Sequence, residues 1–343
     1  MMVPENIIVR MPNWIGDAVC GTPVLAALRR AYPTARVTAM CQGTISALFE
    51  RDPAINELFR FRRAESFLNR MRDRSVIAKL RTGKYDLGLL LTHSFSSAWR
   101  LWQGRVKMTV GFAGDGRRFL LDCPLKFPKK KEHMVETYKR LLTPLGISGA
   151  QIKPRLFITE EEQKKAWEVV KRFDISPKQT LIAINPGAAY GSAKCWLPDR
   201  FRELAARIVA YDSSYRVLFF GSLMQKELVN QICAGLPPRV VNLAGQTSLR
   251  ELMALIGSAA VLVTNDSGPM HIADSLGVPL VALFGSTDPL ITGPYCHPNA
   301  VLAAQPPCSP CFNRVCPIDF RCMKAIQVKA VFDKVLSKLK PKA

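Results

Sequence analysis

The sequence predicts an α/β chain built from two doubly wound parallel sheets. Three observations lead there. Short apolar runs such as IIVRM, LGLLL, LIAIN and VPLVALF lack the alternation of a half-solvated strand, so both of their faces must be covered. Segments with helical spacing separate these runs, which is the rhythm of parallel strands joined by crossover helices. The chain has 343 residues, more than one ordinary core accommodates and enough for two domains.

Each element follows in order. Residues 7–11 read as a strand and 21–32 as a helix stopped by Pro33. Strand 36–41, helix 45–51 and short strand 57–61 come next, then a basic helix over 66–81 and a buried strand over 85–91. A helix over 134–145 closes this half. A second cycle starts near Gln151 with an acid-led helix over 160–173 and a strand over 180–185 that ends in Pro-Gly. Helix 198–211, strand 215–220, helix 226–234 and strand 240–242 follow. Helix 249–258, strand 260–264, helix 270–276 and strand 278–284 complete the second sheet. Pro154 and Pro177 interrupt the pattern and put the boundary within 148–178. The expected division is 1–165, 166–323, and a C-terminal amphipathic segment, 324–343, packing back on the first domain.

Composition narrows the function classes. Hydrophobic residues make up 48% and charged residues 22%, a globular balance able to bury most of its surface without staples. The formal net charge is +21, which calls for an anionic partner: nucleic acid, a membrane surface or a phosphorylated substrate. No apolar run reaches the roughly 18 residues of a spanning helix, and MMVPENIIVR lacks the basic start of a signal peptide. A cytoplasmic chain is expected, so its cysteines are not read as a disulfide framework.

Ligands of doubly wound sheets gather beyond the carboxyl ends of strands. The residues there are Asp17, His93, Pro186–Lys194, Gly221–Ser222, Asn265–His271 and Gly285–Asp288. In VTNDSGPMHIADSLG a buried strand runs into a helix start, whose free amides and dipole suit an anion, with Gly268 allowing close approach and Ser267 adding a hydroxyl. The blander reading is a capped helix. INPGAAYGSAKCW is a small-residue loop ending at Lys194, suited to a diphosphate, but its spacing is not that of a Walker A motif. No Asp-x-Asp pair occurs to hold a sugar nucleotide through a metal, so positive groups and helix amides would stabilise the leaving diphosphate.

Three blocks, MPNWIGDAVCGTPVLAALRRAYP, NPGAAYGSAKCWLPDRFRELA and TNDSGPMHIADSLGVPLVALFGSTDP, together with LLTHSFSSAWRLWQGRVKMTVGFAGDGRRFLL and HMVETYKRLL, carry a further inference. The chain resembles the ADP-heptose:lipopolysaccharide heptosyltransferases of glycosyltransferase family 9, over nearly its full length. The resemblance implies the GT-B fold, two Rossmann-like domains facing an interdomain cleft, the first for acceptor and the second for ADP-heptose. It implies inverting transfer without a metal cofactor, from ADP-heptose to the lipid A–inner-core oligosaccharide, with a second heptose added to the first. Asp17 matches the catalytic base and Lys194 the lysine on the donor diphosphate. Gly187, Ser192, Asp266, Ser267, Gly268 and His271 complete the expected donor site. For the donor ribose, Gln225 or Glu227 could align, with Glu227 favoured. Asn13, Gly16, Arg117 and Arg118 are the expected acceptor contacts. Asp17 could instead serve as a helix cap. The alternatives are a family sibling with another sugar nucleotide or core acceptor, and a non-catalytic protein binding anionic lipid or nucleic acid.

Basic residues crowd the first half: Arg60, Arg62, Arg63, Arg70, Arg72, Arg74, Lys79, Arg81, Arg117, Arg118, Lys126 and Lys129–Lys131. They suggest peripheral attachment to the anionic cytoplasmic face of the inner membrane, each charge worth about 1 kcal/mol there. Nucleic acid is not expected, because no binding motif and no aromatic platform interleaves with the charges. Cys308, Cys311, Cys316 and Cys322 are spaced C-x2-C-x4-C-x5-C. Four such thiols could hold a structural zinc or iron–sulfur cluster, remain a reduced loop, or form a labile disulfide.

Overall fold

The computed structural model describes residues 3–62, 66, 69 and 73–339. The chain forms two compact units, 1–157 and 158–343. Each is a six-stranded, all-parallel sheet.

In the first unit the strands are β1 (Asn6–Arg10), β2 (Arg36–Gln42), β3 (Glu57–Phe61), β4 (Leu87–Leu90), β5 (Met108–Phe112) and β6 (Cys123–Leu125). Their spatial order is β3-β2-β1-β4-β5-β6. The direction of winding reverses between β1 and β4, and such reversals leave a crevice at the strand carboxyl ends. The helices are α1 (Ile15–Cys20), α2 (Thr22–Ala31), α3 (Arg74–Thr82), α4 (Phe95–Gln103) and α5 (Met134–Lys139). In β1, Ile7, Ile8 and Val9 are fully buried, as a strand covered on both faces requires.

The second unit repeats the plan. Its strands are β7 (Thr180–Asn185), β8 (Tyr215–Phe219), β9 (Val240–Asn242), β10 (Val261–Asn265), β11 (Leu280–Phe284) and β12 (Val301–Ala303), in the order β12-β11-β10-β7-β8-β9. The reversal falls between β7 and β10. The helices are α6 (Glu160–Lys171), α7 (Pro198–Tyr211), α8 (Lys226–Cys233), α9 (Leu249–Gly257), α10 (Gly268–Ser275), α11 (Pro289–Thr292), α12 (Arg321–Ala325) and α13 (Val328–Leu339). Thr159 and Glu162 form a capping box at the start of α6, as do Ser248 and Glu251 at α9.

Several expectations are revised. The division falls at 157/158 rather than 165/166. The C-terminal helix α13 is built into the second unit. Val328, Val331 and Val335 join the core of the second with Ile182, Trp196 and Phe201. The Trp196 indole N–H donates to the Ile326 carbonyl at 3.1 Å and fixes the approach to α13. Helix α4 and strands β5, β6 and β12 were not anticipated. The segment 45–51 is a 3₁₀ turn, Ile45–Phe49, and 134–145 is α5 followed by a second 3₁₀ turn. Of the basic helix expected over 66–81, α3 covers the part from Arg74 on, and Arg63, Arg70 and Arg72 lie outside the described residues.

Candidate functional site

The winding reversals select the same loops that the sequence singled out. In the first unit, β1 leads to Asp17 and β4 leads to His93. Trp14, not Asp17, is the N-cap of α1, so Asp17 is the third helical residue and half-buried. Its negative charge acts on Tyr138 of α5, a buried residue whose phenol is held well above its usual range by burial and by Asp17. Tyr138 therefore keeps its proton beside the carboxylate, a neighbour the sequence did not reveal. Asn13 and Gly16 flank Asp17, both half-buried. The buried Arg10 guanidinium donates to Asn13 Oδ1 at 2.6 Å and lies 4.8 Å over the Phe61 ring, fixing the loop's entry.

Arg117 departs from expectation. It is fully buried, and its Nε donates to the Phe112 carbonyl at 2.9 Å. Its Nη1 donates to the Ser94 carbonyl at 3.1 Å and to Ser97 Oγ at 3.0 Å. Burial pulls its pKa down to about 10. The side chain thus ties the β5 exit to the start of α4 rather than reaching out to an acceptor, whereas Arg118 is exposed. His93 packs edge-on to Phe127 and Phe112, at 4.9 and 5.8 Å between ring centroids. Desolvation and the Arg117 charge lower its pKa to about 4.

In the second unit, β7 and β10 lie side by side with Thr264 opposite Asn185. Two asparagines at their ends cross-link the loops. Asn185 Nδ2 donates to the Gly187 carbonyl at 2.9 Å and to Ser267 Oγ at 3.2 Å. Asn265 Nδ2 donates to the Pro186 carbonyl at 2.7 Å, while its Oδ1 accepts the Trp196 N–H at 3.0 Å. Thus anchored, the loop turns through Ser192 to Lys194, whose Nζ meets Asp266 Oδ2 at 2.6 Å. The same oxygen accepts hydroxyls from Thr287 at 2.7 Å and Thr292 at 3.2 Å. The Lys194 ammonium also lies 4.8 Å from the centre of the Tyr190 ring.

Helix α10 starts without a side-chain cap. Its N-cap, Ser267, is extended and makes no capping hydrogen bond. Its hydroxyl is engaged by Thr264 at 3.0 Å and by Asn185. The first amides of α10 are consequently left without a side-chain cap beside Gly268, near the Lys194–Asp266 pair, which is the arrangement that receives anions. His271 is buried on the first turn. A Cβ at Gly187 would meet the end of the Gln225 side chain, which packs directly over this glycine. Gln225, not Glu227, therefore lies against this loop. Glu227 is exposed on α8 and bonds Gln231 at 3.4 Å.

The four clustered cysteines line one cavity of about 50 Å³ together with Ala193, Gly285 and Ser286. All are free thiols. Among the described residues, no group of three or more His, Cys, Asp or Glu side chains is placed to hold a metal ion, so a zinc or iron–sulfur cluster, one of the three readings of these cysteines, has no converged ligand set there. The cysteine loop instead braces the Lys194 loop. Ala193 N–H donates to the Arg314 carbonyl at 3.0 Å, Tyr190 Oη to the Phe312 carbonyl at 2.8 Å, and Phe312 N–H to the Ser286 carbonyl at 2.7 Å. Gly191 is required there, since any Cβ would strike the Arg314 carbonyl.

Two Rossmann-like units, the second with a lysine beside a helix start, share the architecture of a glycosyltransferase of the GT-B fold class. The profile of glycosyltransferase family 9 (heptosyltransferase) matches residues 74–320, and the chain belongs to that family. It is 32% identical over 309 residues to lipopolysaccharide heptosyltransferase 2 of Escherichia coli, covering 87% of each chain. The solved structure of E. coli ADP-heptose LPS heptosyltransferase II superposes with a TM-score of 0.83 at 28% identity, covering 97% of this chain and 98% of that one. A family 9 glycosyltransferase from Veillonella parvula superposes with a TM-score of 0.86 at 24% identity, covering 99% and 98%. Among the described residues, no helix is long and apolar enough to cross a membrane.

Proposed function

We infer that this glycosyltransferase moves heptose from ADP-heptose to the inner core of lipopolysaccharide, adding a second heptose to the first. The observation that carries the reading is Lys194, held beside the uncapped start of α10, in a chain 32% identical to lipopolysaccharide heptosyltransferase 2. In this reading the second unit binds the donor diphosphate through Lys194 and the amides at Gly268. Asp266 orients the lysine, and Gln225 takes the place given to Glu227 near the donor ribose. The Asp17 carboxylate accepts the proton of an acceptor hydroxyl while that oxygen bonds to the anomeric carbon. The bond from that carbon to ADP breaks, its electron pair leaves on the β-phosphate, and configuration inverts. Lys194 and the helix amides supply the positive field at the departing oxygen. The +21 charge supports a peripheral position on the anionic cytoplasmic face of the inner membrane, where a lipid-linked acceptor would be met.

The test is transfer from ADP-heptose to acceptors with and without the first heptose, with UDP-sugars as rival donors. Turnover only with ADP-heptose and the heptose-bearing acceptor is expected. Preference for another donor or acceptor would instead identify a family sibling. Asp17→Asn should fold normally and lose roughly 10²–10⁴-fold in turnover, as removal of a general base predicts. A near-normal rate would remove Asp17 from that role.

A further inference from the structure

The first unit carries an aromatic patch that the linear sequence conceals. Helix α4 places Phe95, Trp99 and Trp102 on one face at spacings of four and three residues. Trp99 and Trp102 stack with centroids 5.0 Å apart, and Phe95 stacks on Trp99 at 6.2 Å. Phe119 joins from the 3₁₀ turn Arg118–Leu120, 6.1 Å from Phe95. The adjoining side of α4 is committed to the core through Ala98 and Leu101, and Phe95 and Trp99 are partly buried against that core. Trp102 is nonetheless 54% exposed and Phe119 74% exposed. A folded chain that leaves two such rings in water at one place has a use for them.

Arginines border the patch. Arg118 adjoins Phe119, the Arg105 N–H donates to the Trp102 carbonyl at 3.0 Å, and Arg81 Nε donates to the Gln103 carbonyl at 2.9 Å. All three are exposed, and none forms an ion pair among the described residues. Nearby acids are engaged elsewhere. Asp122 accepts the Thr109 N–H at 2.7 Å and its hydroxyl at 2.8 Å, and Asp73 pairs with Arg100 at 3.4 Å. Asp115 is the acid left at the rim, exposed.

We propose that this face, with Trp102 and Phe119 at its centre and Arg81, Arg105 and Arg118 at its rim, docks on an anionic lipid bilayer. Tryptophan and phenylalanine beside arginine is the composition that sits at headgroup depth, rings among the upper acyl carbons and guanidinium groups on phosphates. Nucleic acid fits less well, because bases need open ring faces and here Trp99 and Trp102 already cover one another. The proposal deepens the functional reading, since it gives an enzyme with a lipid-anchored acceptor the surface on which it stands.

The test is co-sedimentation of the full chain with phosphatidylcholine vesicles, with and without phosphatidylglycerol. The wild type should bind the anionic vesicles. Trp102→Ser combined with Phe119→Ser should weaken partitioning roughly tenfold or more through lost apolar burial. Arg81→Gln combined with Arg105→Gln, a second variant that leaves the rings in place, should weaken it about fivefold per arginine. Both variants should transfer to a soluble core oligosaccharide at the wild-type rate. Equal partitioning of wild type and both variants overturns the proposal. So does a dimer, or oligonucleotide binding, that the aromatic variant abolishes. Absence of any transfer to the soluble acceptor by the wild type would instead sink the functional reading, with vesicle binding still deciding the surface.

Discussion

A single buried arginine shows how residue-scale chemistry redirects expectation. Arg117 was expected at the acceptor from the family resemblance, yet its partners, Phe112, Ser94 and Ser97, come from separate stretches that only folding assembles. Its charge reaches His93, and that has a measurable consequence. His93 titrates near 4 in the folded chain against about 6.5 unfolded. Between those values the unfolded chain holds a proton that the folded chain refuses, so stability falls as pH drops from 6.5 to 4. Above 6.5 the residue contributes no slope. The exposed side of the ring limits the size of the effect. Comparing thermal unfolding of the wild type and His93→Gln across that window should show a shallower acid-side decline in the variant. The loops that carry Asp17, Lys194 and Asp266 to His271 were legible in the sequence as loops, because each lies beyond the end of an apolar strand. Tyr138, Thr287 and Thr292 were not assigned roles, because proximity across helices and loops leaves no mark in local spacing.

At the scale of elements most strands were readable, and β3, β7 and β9 fall on their expected bounds. The missed strands are short or carry residues that weaken a strand signal: MTVGF in β5, CPL in β6 and VLA in β12. Pairing with a neighbour already in the sheet makes them strands. Helix α4 was missed because its start, HSFSS, reads as a polar turn. The placement of α13 depends on tertiary packing alone, since an amphipathic face does not announce what it will cover. Val331 is fully buried against the second sheet's core, so Val331→Ala should destabilise the protein by roughly 1–3 kcal/mol through lost burial and cavity formation. Urea unfolding would measure it, and a change below a few tenths would mean that α13 is loosely held.

Across the whole molecule, the two sheets share one winding plan, and the residues of the proposed chemistry lie beyond equivalent reversals, an acid in the first unit and a lysine with a helix start in the second. The +21 charge acts at this scale, through field rather than contact. Raising salt shortens its reach from about 10 Å at 0.1 M to about 3 Å at 1 M. Transfer to an acceptor in anionic vesicles should therefore decline with ionic strength more steeply than transfer to a soluble oligosaccharide, as paired initial-rate measurements would show. The anchoring of α13 in the second unit also sets an order of events during synthesis. The first unit has all its strands once residue 125 has left the ribosome, but the apolar groove that α13 fills stays open until residues 328–339 emerge. Nascent chains stalled shortly before that point would carry an unfinished, sticky half, and chaperones would meet them there.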